Sequence, residues 1–315
     1  MARDTFENWI PDEVGSKPIV EFAQTSVVEA TASHEPMASD TKRIPRDGGF
    51  VVGAVAKGSA YGENTSGNDY VELIARKIGG VERVAEEDLV DPTVDVLEVK
   101  KIAAANAMAR FFDNATMATT GAVNGTTVLY PSVYQQLKTT QAGIPGGTYT
   151  ANDNYLTSAG AVDYDDLSNL LGLIESSTFV DDSRVLIMAH PAFKGFLRGI
   201  KNSQGDPIWR EGIAGVSPDT VLGYSVRWSR GLKASAVNTQ SPTGNPLMFI
   251  GDTSRLLVGD AQLPGVPNGG MGSQLQRAAS GVGFLTDEAL MKVAMRKGFA
   301  LAHPTAWAVL EKTAV

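Results

Sequence analysis

The sequence predicts an α+β protein whose helices and strands are grouped along the chain. Two observations lead to this prediction: the stretch 95–119 has the apolar spacing of a long helix, and the second half consists mainly of short strand-like runs separated by glycine and proline. Because strands and helices do not follow a regular βαβ order, a doubly wound parallel sheet is not indicated. The chain shows no internal repeat, which argues against a repeat architecture.

The composition is that of a globular protein and excludes several classes of function. Of the 315 residues, 43% are hydrophobic and 20% are charged, and there is no cysteine. Disulfides, thiolate nucleophiles and sulfur-ligated zinc sites are therefore excluded. A dedicated nucleic-acid binder gains its affinity from lysine and arginine at phosphates, which a net charge of −8 does not suit. We therefore expect any contact with DNA to be passive.

The sequence carries no signal for membrane insertion or export. It contains no uncharged apolar run of about 18 residues, the length that a membrane-spanning helix requires. The opening MARDTFENWIPDEV has acidic residues where a signal peptide needs a basic segment followed by an apolar one. We therefore expect a protein that is made in the cytoplasm and has no membrane contact.

Residues 1–45 are predicted to form an extended N-terminal arm. Their polarity is mixed, and four prolines interrupt them: Pro11, Pro18, Pro36 and Pro45. The next stretch, FVVGAVAKGSAYGENTSGNDYVELIARKI over 50–78, is predicted to form a long hairpin with a polar, glycine-rich tip. Strict alternation leaves neither face of YVELIARKI purely apolar, and a two-stranded hairpin alone is marginal in water. Two interpretations remain open, a floppy surface loop or an arm whose partner is another molecule.

The strongest helix prediction covers residues 95–119. Its apolar residues recur at spacings of three and four: Leu97, Ala104, Ala105, Met108, Phe111, Phe112 and Ala115. Asp95 and Glu98 have the spacing of a capping box, and Gly121 lies just beyond the expected end. At about 1.5 Å per residue, roughly 24 residues span roughly 36 Å. We expect Leu97, Met108, Phe111 and Phe112 to pack this helix, with the two phenylalanines facing a late strand.

The second half of the chain alternates helical and strand-like segments after a glycine- and threonine-rich stretch, 119–154. DYDDLSNLLGLIESS is predicted as a helix with Asp165 and Asp166 in its first turn, RVLIMA as a buried strand, and HPAFKGFLRGIKN as a second helix. Short strands follow in QGDPIW, VLGYSVRWS, NPLMFIGDTSRLLVGD and DEALMKVAMRKGFALAHPTAWAVLEK. In the last of these, strict alternation sets one group of residues against another over 290–297, which predicts an exposed antiparallel sheet: Leu290, Lys292, Ala294 and Arg296 against Met291, Val293, Met295 and Lys297.

The sequence contains no recognisable catalytic or ligand-binding motif. Nucleotide-binding, phosphate-loop, hydrolase and zinc-protease patterns are missing. The three histidines, His34, His190 and His303, are more than 100 residues apart, and the later two precede proline, which is typical of turns. We therefore predict no catalytic residue, no cofactor-binding or metal-ligating residue and no cofactor, and a protein that is not an enzyme.

The order of these elements resembles the tailed-bacteriophage major capsid protein family. The resemblance is carried by a collinear series of segments that covers nearly the whole chain: EEDLVDP, FFDNATM, RVLIMAHPAFKGFLRGIKNSQGDPIW, LGYSV, FIGDTSRLLVGD and MRKGFALAHPTAWAVL. It implies the tailed-phage/herpesvirus-type major capsid fold, with an N-terminal arm, an extended β-hairpin loop, a peripheral domain with a long spine helix, and an axial domain. The implied boundaries are an arm over 1–45, a hairpin loop over 46–82, a peripheral domain over 83–154, an axial domain over 155–275, and a return strand with the C-terminal segment over 276–315.

The resemblance also implies a function. The protein would be a structural protein of the virion that assembles in the host cytoplasm, through hexamers and pentamers, into the icosahedral shell around the phage genome. Its partners would be many copies of itself, a separate scaffolding protein, a portal, a decoration protein and, passively, the packaged double-stranded DNA. A scaffold encoded separately is expected because only about 45 residues precede the hairpin, whereas some family members begin with a longer scaffolding segment.

The hairpin loop would lie across the adjacent subunit, with a fixed set of contact residues: Lys57, Tyr61, Glu63, Tyr70 and Arg76. Some family members join a loop lysine to an asparagine of a neighbour. Lys57 lies in the corresponding loop, but no motif identifies an acceptor, so a solvated or salt-bridged lysine is favoured. Two alternatives remain: an encapsulin-type nanocompartment shell that encloses a protein cargo, and a soluble enzyme.

Overall fold

A computed structural model describes residues 25–48, 52–62, 68–87, 96–201, 209, 219–262, 271–277 and 287–313. The helices are α1 Val27–Thr31, α2 Val96–Asp113, α3 Val133–Leu137, α4 Tyr164–Glu175 and α5 Phe193–Gly199. The strands are β1 Ser33–Met37, β2 Thr41–Asp47, β3 Asn68–Ile74, β4 Arg76–Ala85, β5 Gln141–Ile144, β6 Gly147–Tyr149, β7 Tyr155–Ser158, β8 Val185–Ala189, β9 Thr220–Val221, β10 Tyr224–Trp228, β11 Leu247–Asp252, β12 Leu256–Ala261, β13 Gly272–Arg277, β14 Glu288–Leu301 and β15 Trp307–Lys312.

A five-stranded sheet is built around the long strand β14. Strand β4 pairs with one edge of β14, while β12 and β13 pair with successive parts of the other edge, and all three are antiparallel to it. Strand β1 extends the sheet by pairing with β12 in parallel. Residues near the N-terminus and near the C-terminus therefore belong to one sheet.

A six-stranded mixed sheet has the order β7-β15-β11-β8-β10-β9. Every residue of β11 and β15 is buried, which explains their nearly continuous apolar sequences. Helix α4 packs on this sheet and begins with a capping box between Asp163 and Asp166. The predicted helices in 163–177 and 190–202, and the predicted strands around β8, β10, β11 and β12, are confirmed.

The long helix is confirmed and ends in an unusual turn. Helix α2 continues directly into a π-helical turn, Asn114–Ala118, in which every residue is buried. Phe112 is fully buried, and its ring meets Tyr130 edge-on, while Tyr130 meets Phe299 of β14 in the same way. The helix therefore packs on the five-stranded sheet as expected, although through Tyr130.

The other residues expected to pack this helix differ in burial. Met108 is buried, whereas Leu97 and Phe111 are only half-buried against the same core. The proposed capping residue Asp95 lies outside the described residues.

Two expectations about β-structure need correction, and the first concerns the hairpin. Its first strand is β2, which pairs antiparallel with β3 from Thr41 opposite Ile74 to Asp47 opposite Asn68. The predicted strand within 50–57 is wrong, because 52–62 contains no strand. The predicted arm over 1–45 therefore includes most of the hairpin's first strand, and YVELIARKI is divided at Ala75 between the hairpin and β4.

The second correction concerns β14, which is buried rather than exposed. Sheet neighbours cover both edges of the strand, and most of its residues are buried, including the charged Lys297 with 3% exposure. Alternation with basic residues suggested a solvated face, but Lys297 has carboxylate partners that the local sequence does not reveal.

The two sheets do not follow the predicted domain boundaries in a simple way, and those boundaries stay a prediction. The predicted axial range 155–275 contains β12 and part of β13, which belong to the five-stranded sheet. The range 276–315, predicted as a return strand with the C-terminal segment, contains β15, which lies in the six-stranded sheet between β7 and β11. The chain passes repeatedly between the two sheets without a change in composition, so no linear boundary separates them.

Candidate assembly surfaces

The extension, defined as residues 41–74, has two parts with different surroundings. Its base consists of strands β2 and β3, and its tip is the described part of the connecting loop, 52–62. The resemblance to capsid proteins implies contacts between subunits, and these two parts of the extension are the surfaces predicted to make them.

The inner face of the base packs on the same subunit. Leu73 is fully buried and Val71 is 8% exposed, and both belong to a small apolar cluster with residues of the five-stranded sheet. The other buried members of that cluster are Met37, Leu257, Ala261 and Ala300. Arg46 pairs with Asp69 across the two strands and donates a 2.8 Å hydrogen bond to the Ala302 carbonyl. The expectation that the hairpin's core is supplied by another molecule is therefore wrong for the base.

The outer face of the base remains exposed. Tyr70 is 50% exposed and Ile74 is 38% exposed. The guanidinium carbon of Arg43 lies 4.7 Å from the centre of the Tyr70 ring, and its Nε is 3.3 Å from Glu72. This face presents an aromatic ring, an aliphatic side chain and a cation on one side of the hairpin.

The tip makes no comparable contacts with the described residues of its own subunit. Every residue of 52–62 is exposed, with Val52 at 82% and Tyr61 at 85%. Lys57 also lies here, in a turn closed by a 3.0 Å hydrogen bond from the Ser59 amide to the Ala56 carbonyl. The predicted contact residue Glu63 lies outside the described residues.

Arg76 is not part of the loop, contrary to the sequence-based assignment. It begins β4, opposite Lys297 of β14, and is half-buried. A methyl group at Gly125, whose φ is +76°, would lie 3.2 Å from both terminal guanidinium nitrogens of Arg76. Burial raises the pKa of Tyr130, and the positive charge of Arg76 opposes that rise. Arg76 is thus directed toward the interior of its own subunit.

The N-terminal segment, residues 26–37, is fixed to the body by a buried carboxylate. Asp113, at the end of α2, accepts hydrogen bonds from the hydroxyl groups of Ser26 at 2.6 Å and Ser229 at 2.5 Å. It also accepts the backbone amides of Val27 and Val28 at 3.2 Å. Burial raises the pKa of Asp113, and the hydroxyl and amide donors oppose that rise. One side chain therefore joins the start of α1, the spine helix and the loop after β10.

A second polar group, which we call the arm cluster, consists of Glu29, His34, Asp260 and Lys297. The Lys297 ammonium lies 2.7 Å from Glu29 and 2.9 Å from Asp260. His34 Nδ1 lies 2.8 Å from Asp260, and His34 Nε2 lies 2.7 Å from the Glu29 carbonyl oxygen. Sequence reasoning missed this cluster because its members come from α1, β1, β12 and β14, which are far apart in the chain.

A third polar group lies in the interior near β15. Glu311 accepts hydrogen bonds from the hydroxyls of Tyr134 at 2.7 Å and Tyr155 at 2.6 Å and from the Asn245 amide at 2.6 Å. Burial raises the pKa of Glu311, but the three donors and the charge of Lys138 lower it by more. The pKa of Glu311 therefore lies below the ordinary value. Burial, followed by the bond to Glu311, raises the pKa of Tyr155 to about 12. The group ties β15 to α3 and β7.

The remaining histidines have structural surroundings. Burial, followed by the charges of Lys233 and Arg230, lowers the pKa of His190 to about 4, and His190 Nδ1 accepts the Ala192 amide at 3.1 Å. The His303 ring stacks on Phe179 with 3.8 Å between ring centres.

Within the described ranges, no three histidine, aspartate or glutamate side chains are grouped to hold a metal ion. The described helices also lack the length and apolarity needed to cross a bilayer.

The fold is shared with solved structures from phages and from a GTA particle. A structure from Microbacterium phage Oxtober96 superposes with a TM-score of 0.68 at 16% identity and covers 99% of each chain. One from Mycobacterium phage Cain gives 0.70 at 14% identity, covering 100% of this chain and 99% of the other. The capsid of an empty GTA particle gives 0.67 at 14% identity, covering 98% and 97%. At these identities the likeness shows the fold alone.

The sequence itself matches the phage capsid family over residues 7–312. A comparison with curated proteins found no match. The family match favours the phage shell over the nanocompartment and the soluble enzyme, and it points to a structural role. Because the match spans nearly the whole sequence, the chain belongs to the phage capsid family and is a structural protein of the phage shell.

Proposed function

We propose that this capsid protein joins its neighbours through the tip and the outer face of the extension, and that hexamers and pentamers so formed close into the icosahedral shell around the phage genome. The observation that carries the proposal is the contrast within the extension. Its inner face is packed on its own subunit, whereas the tip is exposed at every described residue.

Covering the tip would stabilise an inter-subunit contact. Val52 and Tyr61 expose most of their surface, and removal of apolar area from water contributes roughly 25 cal/mol per Å². Each contact can be weak, because many copies in a closed shell act together. Lys57, in the tip, would supply a polar contact beside these apolar side chains, and Glu63 stays a predicted contact residue outside the described residues.

The outer face of the base would form the second part of the contact. Tyr70 and Arg43 present a ring and a cation side by side. Tyrosine and arginine are enriched at protein interfaces, because both combine a large contact area with directed polar groups. The outer face belongs to the two strands that the tip connects, and we expect one neighbour to cover both surfaces.

The two sheets would have different positions in the shell. We assign the five-stranded sheet and α2 to the peripheral domain, and the six-stranded sheet with α4 and α5 to the axial domain that meets its copies at five-fold and six-fold centres. This assignment follows the sheets and replaces the linear boundaries expected from the sequence.

The other partners follow from the family and the charge. Besides copies of itself, the shell would use a separate scaffolding protein, a portal and a decoration protein, and it would assemble in the host cytoplasm. The net charge of −8 supports a passive contact with the packaged double-stranded DNA.

The test is a variant in which residues 48–67 are replaced by Asn-Gly. Asp47 and Asn68 are paired, and a two-residue Asn-Gly turn matches the twist of such strands. We expect the subunit to keep its circular dichroism spectrum and melting temperature, but to sediment as monomers or small oligomers where the unaltered protein forms shells. A matched control replaces only Ser59 and Ala60 by Gly and Ser and keeps the loop length. Normal shells from the shortened variant would contradict the proposal.

A further inference from the structure

The arm cluster places one imidazole ring between two hydrogen-bond acceptors. His34 Nδ1 faces the Asp260 carboxylate at 2.8 Å, and Nε2 faces the Glu29 carbonyl oxygen at 2.7 Å. Neither oxygen can donate a hydrogen bond. Neutral imidazole has a single N–H, so it can satisfy only one of the two, whereas imidazolium donates to both.

The charges around the ring also favour imidazolium. Asp260 from β12 and the main-chain carbonyl of Glu29 from α1 contact the ring directly, and Lys297 from β14 bridges the carboxylates of Asp260 and Glu29. The two carboxylates and the lysine carry one net negative charge, which a protonated His34 balances. On β1 itself, Glu35 is already paired with Lys42 at 2.7 Å.

The direction of the pKa agrees with this geometry. Burial lowers the pKa of His34, and Lys297 acts in the same direction. The bond to the Glu29 carbonyl and the bond and charge of Asp260 outweigh both, so the pKa lies above the ordinary value of 6.5. Burial likewise lowers the pKa of Lys297, but its two carboxylate partners raise it overall, so the lysine stays charged throughout the range in which His34 titrates.

We propose that the protonation of His34 controls how firmly the N-terminal segment is attached to the five-stranded sheet. The positively charged ring holds the segment on the sheet, and the neutral ring lets it loosen. The ring is well placed for this role because it belongs to β1, contacts the last turn of α1 and reaches Asp260 on the strand that pairs with β1. The inference concerns the subunit alone and does not depend on the proposed contacts of the extension.

The sign of the effect follows from the raised pKa. A group whose pKa is higher in the folded state than in the unfolded state stabilises the folded state. This contribution is complete at pH values below the unfolded-state pKa, here 6.5, and is lost as the pH rises through the folded-state pKa. The attachment of the N-terminal segment should therefore be firmest in mildly acidic solution and weaken in alkaline solution. Since the side chain is 39% exposed, we expect a local loosening rather than unfolding of the subunit.

The first measurement is the pH dependence of hydrogen–deuterium exchange at the imidazole Cε1 position, followed by mass spectrometry of the full chain. The three histidines lie in different peptides and provide internal controls. We expect His34 to titrate above its ordinary pKa, and His190 and His303, whose pKa values burial lowers, to titrate below theirs. A His34 titration at or below the ordinary value would overturn the proposal.

The second measurement is backbone amide exchange over residues 27–37 in the unaltered protein, in His34→Gln and in the control His190→Gln, corrected for intrinsic exchange. In the unaltered protein and the control, exchange should rise about threefold or more between about pH 6 and about pH 9. In His34→Gln it should already be fast at the lower pH and should not change further. Identical pH profiles for His34→Gln and the unaltered protein would show that the ring does not hold the segment.

Discussion

The base and the tip of the extension belong to one continuous stretch of chain, yet they obtain their stability differently. In the base, Leu73 and Val71 are buried against the subunit's own sheet, and Arg46 ties the hairpin to the Ala302 carbonyl. In the tip, residues of similar apolarity, such as Val52, remain in solvent. The base is thus anchored on its own subunit, whereas the described residues of the tip remain available for the proposed contact with a neighbour.

The largest expected effect on the subunit is at the base. Leu73→Ala removes a fully buried side chain and should lower the free energy of unfolding by about 2 to 5 kcal/mol, because it leaves a cavity between the hairpin and the sheet. Urea denaturation of the unassembled subunit measures this change. The matched control is Ile74→Ala on the outer face, for which we expect less than about 1 kcal/mol. Equal losses at the two positions would remove the distinction between the faces.

A smaller effect is expected from the pair on the outer face of the base. Arg43 and Tyr70 are both exposed and form a cation–π contact, for which a coupling of about 0.5 to 1 kcal/mol is typical at such sites. A double-mutant cycle with Arg43→Met and Tyr70→Leu, read by urea denaturation, isolates that coupling. A coupling above about 2 kcal/mol would mean that this face is buried within the subunit, contrary to the structure.

The smallest effect on the subunit is expected at the tip. Tyr61→Ser should change the free energy of unfolding by less than about 0.5 kcal/mol, because the ring is exposed to solvent. The same change should weaken the binding of each subunit to its neighbours, and every 1.4 kcal/mol of weakening should raise the protein concentration needed for shell assembly about tenfold. Lys57→Ser, in the same tip, provides a comparison for a polar side chain. Unchanged assembly of Tyr61→Ser would contradict a role for that ring.

Local patterns were sufficient for the elements whose partners lie nearby in sequence. The periodic apolar spacing of α2 and the helical pattern of α4, with its acidic first turn, predicted both helices. Strand β2 was missed because TKRIPRD is polar and contains Pro45. It joins β3 through backbone hydrogen bonds, and Ile44 is its one apolar side chain in the small cluster. The more apolar run at 51–56 therefore has the stronger sequence pattern of a strand.

Long-range partners account for the remaining differences. The burial of Lys297 depends on Glu29 and Asp260, which no local pattern connects to it. The assignment of β12 and β15 to different sheets also depends on pairing between distant segments. For the candidate assembly surface, the sequence correctly placed Tyr61 in an exposed loop, but it could not reveal that the inner face of the base is already covered by its own subunit.

The pairing of β1 with β12 has a consequence for the order of events during synthesis. Ser33 emerges from the ribosome long before Leu257, its partner in the sheet, and β12 is in turn held by β14. The N-terminal strand cannot dock until nearly the whole chain has been translated, and closure of such distant pairings is among the slower steps of folding. A truncated nascent chain therefore lacks the finished sheet on which the base of the extension rests, which ties competence for assembly to the completion of translation.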